Sequence, residues 1–346
     1  MYSFEVTASQ KALKPDGQIN GPGWSRRPFW DYSRKDIKAS PLRIKEWDYY
    51  AVYSHKHRFW ITTTFSDLGY LGLFAIAFVD ISRGSWTQVD KITSFPLGKY
   101  HLPPHSKDHE IAMSSNILRI ACSRKEERRR ILCGAPGLKA EGHNEGLDAD
   151  ITCIQTEGHE SINILTSWES NRKAFYLNEK VNCMRVSGTV RLGEEVYELT
   201  PDESVAVLDW GRGRWTYQNR WYWASASTFI DSVPVGFNFG YGFSDRTDVT
   251  ENAIFYDNIL HKIDRVSFEI PSDSYTDPWK ITSNDKRVDL TFIPVVDRNT
   301  QSNFLIIKSV QHQVFGHFSG SLVLDDNTTV QVDNMPGFAE DVFNRY

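Results

Sequence analysis

The sequence predicts an all-β protein with many strands, and three observations lead to this fold class. Apolar and polar residues alternate over short segments, for example in RFWITTTFSD at 58–67, and such alternation is typical of β-strands. Turn-forming residues recur between these segments at short spacing. No segment longer than about ten residues has the 3.6-residue period of an amphipathic helix. We therefore expect barrels or sandwiches, with only a few short helices, near 202–204 and 251–253.

The length of the chain and an internal similarity point to two related lobes. A chain of 346 residues exceeds the size at which single cores usually stop growing, about 250–300 residues. Residues 58–80 and 220–245 share one pattern, in which arginine and aromatic residues lead through Phe-x-Asp and a turn to a glycine-punctuated strand ending in Phe-x-Asp. Either two aromatic hairpins are alike by chance, or an N-terminal β-lobe with an N-terminal arm, residues 1–170, precedes a related C-terminal β-lobe, residues 171–346. The polar stretch 166–184 is the expected break.

Charge and composition exclude several classes of partner. The net charge of −5 creates no overall field that favours nucleic acid. The longest apolar run, residues 71–79, is shorter than the roughly 20 residues that span a bilayer, so we expect no membrane insertion. The N-terminus lacks the apolar segment of a signal peptide. The four cysteines form no CxxC pair and predict free thiols in a reducing compartment, hence a cytoplasmic protein.

Residues 208–227, LDWGRGRWTYQNRWYWASAS, combine four tryptophans, two tyrosines and three arginines. In the strand that leads into this stretch, Asp209 shares a face with Val205 and Val207 and is expected to point inward with them. A buried carboxylate needs a partner or a proton, and Arg212 and Arg214 follow across Gly-Arg-Gly. These arginines either form a structural ion pair with Asp209 or also face a carboxylate, phosphate or hydroxyl of a ligand.

The strand after this turn and the segment that follows it predict an aromatic surface. Trp221 and Trp223 share one face with serines, while Phe239 and Tyr241 share one face of VGFNFGYGF at 235–243. Such residues either fill a core or line an apolar pocket with a few polar groups. On the second interpretation, ligand-binding residues are predicted from this region and the adjoining turn: Arg212, Arg214, Trp215, Tyr217, Trp221, Trp223, Phe239 and Tyr241.

A second aromatic segment and the C-terminus contribute further acids. In RIKEWDYY at 43–50, the acids Glu46 and Asp48 alternate with Trp47 and Tyr49. This is either an edge strand with a solvated face or a carboxylate pair beside a ligand. Glu340 follows an aromatic residue near the C-terminus. The candidate catalytic acids are therefore Asp209, Glu46 and Glu340, and Trp47 and Tyr49 join the predicted ligand-binding set.

We expect neither a metal nor another cofactor. Residues 134–146 are glycine-rich but lack the spacing of a nucleotide-binding loop. His101, His105 and His109 are evenly spaced, but the prolines between them prevent a regular helix that would align them as metal ligands.

The segments above, together with NRKAFY at 171–176 and the stretch 316–346, resemble a bacterial family, domain of unknown function 2804, from about residue 17 to the end. The Asp-Trp-Gly-Arg-Gly run followed by Trp-x-Trp is its most specific feature, whereas Thr216 and Asn327 stand where proline and glycine are common. The family is distantly similar to lipocalin-like proteins that include carotenoid 1,2-hydratase and tocopherol cyclase. This similarity implies two tandem lipocalin-like (calycin-like) lobes that hold a bulky apolar ligand between them.

These observations leave three functional hypotheses. The first is an enzyme that hydrates, isomerises or cyclises an apolar small molecule, with Asp209, Glu46 or Glu340 as proton donor. Trp221, Trp223 and Tyr217 would then stabilise a developing cation. The second is a protein that binds a lipid, pigment or sugar-like ligand without chemistry. The third, a glycosidase, requires two carboxylates across a sugar site.

Overall fold

The computed structural model describes residues 4–107, 110–247, 249–304 and 307–345. Fifteen strands precede residue 215 in this part of the chain: β1 (Gln10–Lys11), β2 (Gly23–Ser25), β3 (Trp30–Asp31), β4 (Ile44–Ser54), β5 (Phe59–Asp67), β6 (Leu71–Asp80), β7 (Ser85–Ser94), β8 (Glu110–Ser114), β9 (Arg119–Lys125), β10 (Arg128–Ala135), β11 (Leu147–Ile154), β12 (Ile162–Trp168), β13 (Asn171–Leu192), β14 (Glu195–Leu199) and β15 (Ser204–Arg214). Nine strands follow: β16 (Gln218–Ile230), β17 (Val233–Tyr241), β18 (Ala253–Tyr256), β19 (Ile259–Lys262), β20 (Val266–Glu269), β21 (Trp279–Ser283), β22 (Val288–Phe304), β23 (Ile307–Val323) and β24 (Thr329–Arg345).

Two large antiparallel sheets contain nearly all of these strands. The first has the order β7-β6-β5-β4-β15-β13-β11-β10-β9-β8, with β2, β12 and β14 paired beside it. The second has the order β19-β18-β17-β16-β24-β23-β22-β21-β20. Each sheet encloses its own apolar core. The predicted all-β fold of two lipocalin-like lobes is confirmed.

The short helices lie elsewhere than expected. In the described part of the chain, two 3-10 turns occur, at Arg34–Asp36 and Pro41–Arg43. Residues 202–203 instead form a turn before Ser204, which begins β15, and residues 251–252 precede Ala253, which begins β18. Among the described residues, no helix is long and apolar enough to cross a bilayer.

The change from one sheet to the other falls later than residue 170. Strands β13, β14 and β15 all pair within the first sheet, so the second sheet begins only with β16. The polar stretch 166–184 is not a linker, because it forms the end of β12 and the greater part of β13. Its polar side chains Asn178 and Lys180 are buried between the lobes. The sequence alone suggested a solvated segment, because polar residues are frequent in this stretch.

The two lobes repeat one topology. In each lobe the first strand of a four-strand meander pairs with the last strand of that lobe: β4 with β15, and β16 with β24. By this correspondence β16 is equivalent to β4. The similar segments 58–80 and 220–245 cover β5–β6 and β16–β17, so the similarity in sequence is displaced by one strand from the structural repeat.

Candidate functional site

A cavity of about 230 Å³ lies between the two lobes. Strands β4, β5, β6, β13 and β15 of the first sheet and β16, β22, β23 and β24 of the second contribute to its walls, together with the segment after β17. Seven of the residues predicted from the sequence line it: Trp47, Tyr49, Asp209, Trp215, Trp221, Trp223 and Glu340.

Two of the candidate acids occupy equivalent positions in the two lobes. Asp209 on β15 pairs with Tyr49 on β4, and Glu340 on β24 pairs with Trp223 on β16. Because these strand pairs are equivalent in the repeat, each lobe contributes one carboxylate and one aromatic residue to the cavity in the same way.

The aromatic wall is held by ring contacts. The Trp47 ring stacks on Tyr176 with 5.9 Å between centroids, and its edge meets Trp215 at 5.2 Å. Trp215 in turn meets Trp221 at 6.1 Å and Phe243 at 4.7 Å, both nearly perpendicular. Edge-to-face and stacked pairs fix the planes of the rings, and the rings border the cavity without filling it.

The position of Gly211, next to Arg212, requires a residue without a side chain. Gly211 lies opposite Trp47 in the strand pairing, and a Cβ on Gly211 would overlap the Trp47 ring. Only glycine therefore lets the indole lie across β15 and reach the cavity.

The surroundings of Glu340 raise the pKa of its carboxyl group. Its Oε2 accepts a hydrogen bond from Trp221 Nε1 at 3.0 Å, and its Oε1 accepts one from Gln313 Nε2 at 2.7 Å. Burial raises the pKa of Glu340 to about 7, although these two donors and Lys180 act to lower it. Close to neutral pH the side chain therefore exists in both protonation states.

Asp209 is paired with a lysine that the sequence analysis did not select. Lys180 Nζ lies 3.0 Å from Asp209 Oδ2, and Asn178 Nδ2 donates to Asp209 Oδ1 at 2.6 Å. Lys180 faces Asp209 directly in the pairing of β13 with β15. The same ammonium lies 3.7 Å from Glu251 Oε2 and 3.8 Å above the Trp223 ring. The predicted pairing of Asp209 with Arg212 or Arg214 is wrong.

Arg212 instead lies inside the first lobe. Its guanidinium pairs with Asp48 at 2.8 Å, donates to the carbonyl of Pro103 and lies over the Trp210 ring. The side chain is fully buried, and alternation along β15 places it on the face opposite to Asp209. Arg212 therefore stabilises the lobe and does not contact the cavity.

Glu46 lies on the same interior side as Asp48. The hydroxyl of Tyr32 donates to Glu46 at 2.8 Å, and Arg34 forms an ion pair with it. Along β4 the acids thus face the first lobe, while Trp47 and Tyr49 face the cavity. Glu46 is a structural residue rather than a cavity acid.

Besides Arg212, four more predicted ligand-binding residues lie away from the cavity. Arg214 donates to main-chain carbonyls at the surface, and Tyr217 is 43% exposed. Phe239 and Tyr241 belong to the interior of the second lobe. In the pairing of β16 with β17, Phe239 faces Ala224 while Trp223 faces a glycine. Partners across an antiparallel pair share one face, so these two side chains cannot join the tryptophans.

The sequence pattern of the family described as "domain of unknown function (DUF2804)" matches residues 3–346. The chain belongs to this family. The resemblance found in the sequence is thereby confirmed. A comparison with curated proteins finds no match.

Two solved structures share the fold of this DUF2804 protein. A candidate AttH from Nitrosomonas europaea is 13% identical, with a TM-score of 0.53, covering 90% of this chain and 94% of its own. Kievitone hydratase from Nectria haematococca is 11% identical, with a TM-score of 0.52, covering 97% and 98%. At these identities the similarity extends to the fold alone.

Several polar residues of the DUF2804 cavity were missed by sequence reasoning. Arg246 pairs with Glu251 at 2.8 Å. Burial acts to raise the pKa of Glu251, but Arg246 and Lys180 outweigh it and the pKa is lowered. Tyr176 lines the cavity, and burial holds its pKa well above the ordinary value, so its hydroxyl keeps its proton.

One sequence signal could have revealed part of this set. Along β13, Tyr176, Asn178 and Lys180 share one face, and the opposite face holds the apolar Phe175 and Leu177 before it reaches Glu179. This alternation indicates a strand with one mainly polar face. No comparable signal connects Gln313 or Glu251 with the site, because they come from distant strands and loops.

No group of three or more potential metal ligands occurs among the residues that the structure describes. His101 and His105 are among those residues, and His109 is not.

Proposed function

We propose that the cavity holds a bulky, largely apolar small molecule and that Glu340 donates a proton to it. The reaction would add water across a double bond, shift the bond or close a ring. The observation that carries this proposal is a buried carboxyl group with a pKa of about 7 in the wall of an aromatic cavity. A general acid is most effective when its pKa lies close to the working pH.

The other two candidate acids suit this role less well. Asp209 is held by an ion pair with Lys180 at 3.0 Å and by a hydrogen bond from Asn178, so both of its carboxylate oxygens already have partners within the protein. Glu46 lies outside the cavity. Asp209 therefore acts in this proposal as the counter-ion that keeps Lys180 in place.

The indoles have a defined part in this chemistry. Protonation of a double bond creates positive charge on carbon, and an aromatic face stabilises a nearby cation by about 0.5–2 kcal/mol. Trp47 and Trp221 are the rings for this role. The Trp223 ring already carries the Lys180 ammonium at 3.8 Å, and Tyr217 lies at the surface.

The fold comparison supports the class of reaction and no particular substrate. One of the similar structures is a hydratase, and a shared fold is by itself an analogy.

The four cysteines are free and buried, which supports our further proposal of a reducing, cytoplasmic location.

Deuterium transfer to a mixture of apolar molecules tests proton donation by Glu340. An apolar extract of the cells that produce the protein is incubated with it in D₂O and analysed by mass spectrometry. We expect the wild-type protein to label or convert one component, and Glu340→Gln to reduce this at least about 100-fold. The matched control is Glu269→Gln, since Glu269 is exposed on β20.

Two other outcomes would contradict the proposal. Equal labelling by wild type and Glu340→Gln would remove Glu340 as the acid. A small molecule that is retained in native mass spectra, but never labelled or converted, would favour the binding protein without chemistry.

A further inference from the structure

Three exposed apolar side chains surround the turn between β5 and β6. Leu42, Phe95 and Leu97 are 43%, 59% and 39% exposed. The amide of Phe95 donates to Tyr70 O at 2.9 Å and that of Leu97 to Gly69 O at 3.3 Å. A Cβ on Gly69 would lie 2.9 Å from Leu42 Cα. We name Leu42, Phe95 and Leu97 the entrance patch.

The backbone of the entrance patch is unfavourable for its residues. Phe95 and Leu97 have φ values of 53° and 54°, in the left-handed region that bulky side chains rarely occupy. Glycine or asparagine would adopt this conformation more easily. Since both side chains are exposed, packing in a core does not explain them, and strained residues of this kind cluster at functional surfaces.

The turn that the entrance patch surrounds is adjacent in sequence to the cavity wall. Leu68, which directly precedes the β5–β6 turn, lines the cavity, as does Leu73 on β6. Leu73 pairs with Ile92 on β7, another large exposed apolar residue. Apolar side chains therefore lie on both sides of this region, at the cavity wall and on the outside of the first lobe.

Cations adjoin the entrance patch. Arg43 directly follows Leu42, and its guanidinium donates to the carbonyl of Trp215 at 2.9 Å. The neighbouring Lys45 is buried, and burial lowers its pKa to about 7, so it is not one of these surface cations. Arg214, which lies near Arg43, donates to the carbonyl of Lys38, and Lys99 is exposed two residues after Leu97. Among the described residues, no carboxylate pairs with Arg43 or Arg214. The cations at the surface of this region are thus Arg43, Arg214 and Lys99. Asp67, whose carboxylate lies at the same turn, is buried and accepts hydrogen bonds from the amides of Gly69 and Gly98.

We propose that the entrance patch docks on an anionic lipid surface. The apolar side chains would enter the boundary between headgroups and acyl chains, and the surrounding cations would contact anionic headgroups. Docking would place the cavity entrance where apolar molecules concentrate. That last advantage rests on the proposed function, whereas docking itself requires no proton transfer by Glu340.

Co-sedimentation of the full chain with vesicles tests docking directly. We expect sedimentation with phosphatidylcholine vesicles that contain about 30% phosphatidylglycerol, but not with phosphatidylcholine alone. At about 1 M NaCl the Debye length falls to about 3 Å, and binding should decrease.

The decisive variant is the double substitution Phe95→Asn and Leu97→Asn. Asparagine tolerates positive φ, so the thermal midpoint should be unchanged or higher. Vesicle affinity should fall at least about tenfold, because two apolar side chains no longer leave water. Val196→Thr is the matched control, since Val196 is 60% exposed on β14 and should bind as wild type does.

The outcomes separate this proposal from the first. The docking proposal is overturned if the wild-type protein does not bind anionic vesicles, or if the double variant binds them as well as the wild type does. It is also overturned if the entrance patch instead mediates a concentration-dependent dimer, seen by sedimentation velocity, while vesicles are not bound. Glu340→Gln should bind vesicles normally, so a failure of proton donation leaves this result unaffected.

Discussion

Replacement of Glu340 by glutamine should change how the stability of the protein depends on pH. The pKa of this carboxyl rises from 4.5 to about 7 on folding, so the folded state holds a proton that the unfolded state releases between these values. The stability associated with the neutral carboxyl is therefore present below pH 4.5 and is lost as the pH rises through about 7. Glutamine is neutral throughout and escapes this loss.

The size of the effect follows from the shift. A change of about 2.5 pKa units, at about 1.36 kcal/mol per unit, amounts to about 3 kcal/mol. Relative to wild type, Glu340→Gln should thus gain about 3 kcal/mol in free energy of unfolding between pH 4.5 and pH 8. The hydrogen bonds from Trp221 and Gln313 can both be accepted only by the single amide oxygen of glutamine. Glu340→Gln therefore loses some stability at every pH. This loss is the same at pH 4.5 and pH 8, so it cancels when the stability differences at the two pH values are compared.

Urea unfolding of wild type, Glu340→Gln and the exposed control Glu269→Gln at several pH values measures this difference. Infrared difference spectra provide an independent measurement, since a protonated carboxyl band should disappear near pH 7 in wild type and be absent from Glu340→Gln. If the stability difference between wild type and Glu340→Gln were the same at pH 4.5 and pH 8, Glu340 would be ionised throughout and the reasoning refuted.

Three further substitutions test the remaining contacts. Lys180→Met leaves the buried Asp209 carboxylate without its cation and should cost about 3–5 kcal/mol in urea unfolding, with part of the loss restored by adding Asp209→Asn. Arg212→Met should lower the free energy of unfolding by a similar amount, because it leaves the buried Asp48 without its cationic partner. Calorimetry should show this loss of stability without any ligand present. Gly211→Ala should displace the Trp47 indole, destabilise by about 1–3 kcal/mol and alter tryptophan fluorescence, whereas an unchanged spectrum would contradict the assigned role of this glycine.

Alternation along single strands allowed much of the site to be predicted. It showed that Trp47 and Tyr49 share one face of their strand and Glu46 and Asp48 the other. Glu46 was nevertheless predicted as a catalytic acid of the same site, whereas in the structure only Trp47 and Tyr49 line the cavity. It also placed Trp221 and Trp223 on one face of β16. The direction of successive side chains is a local property of a strand, so the sequence shows which residues share a face.

Nearness in sequence was misleading about partners. Arg212 follows Asp209 by three residues, but an odd separation along a strand places the two side chains on opposite faces. The true partner, Lys180, comes from β13 and faces Asp209 through the pairing of two strands. Phe239 and Tyr241 were grouped with the tryptophans because the sequence does not give the register between β16 and β17. In the structure this register places them opposite Ala224 and Tyr222, on the other face from Trp221 and Trp223.

By itself, the sequence determined the all-β class and the residues that share a strand face, because each depends on local pattern. Its specific motifs indicated the family, and the resemblance to that family implied the tandem lobes. The tertiary structure alone decided which faces meet between the lobes, and with them the burial of Glu340 beside Trp221 and Gln313. The pKa of a carboxyl depends on the water and charges that surround it in space. For Glu340 those surroundings come from strands distant in sequence.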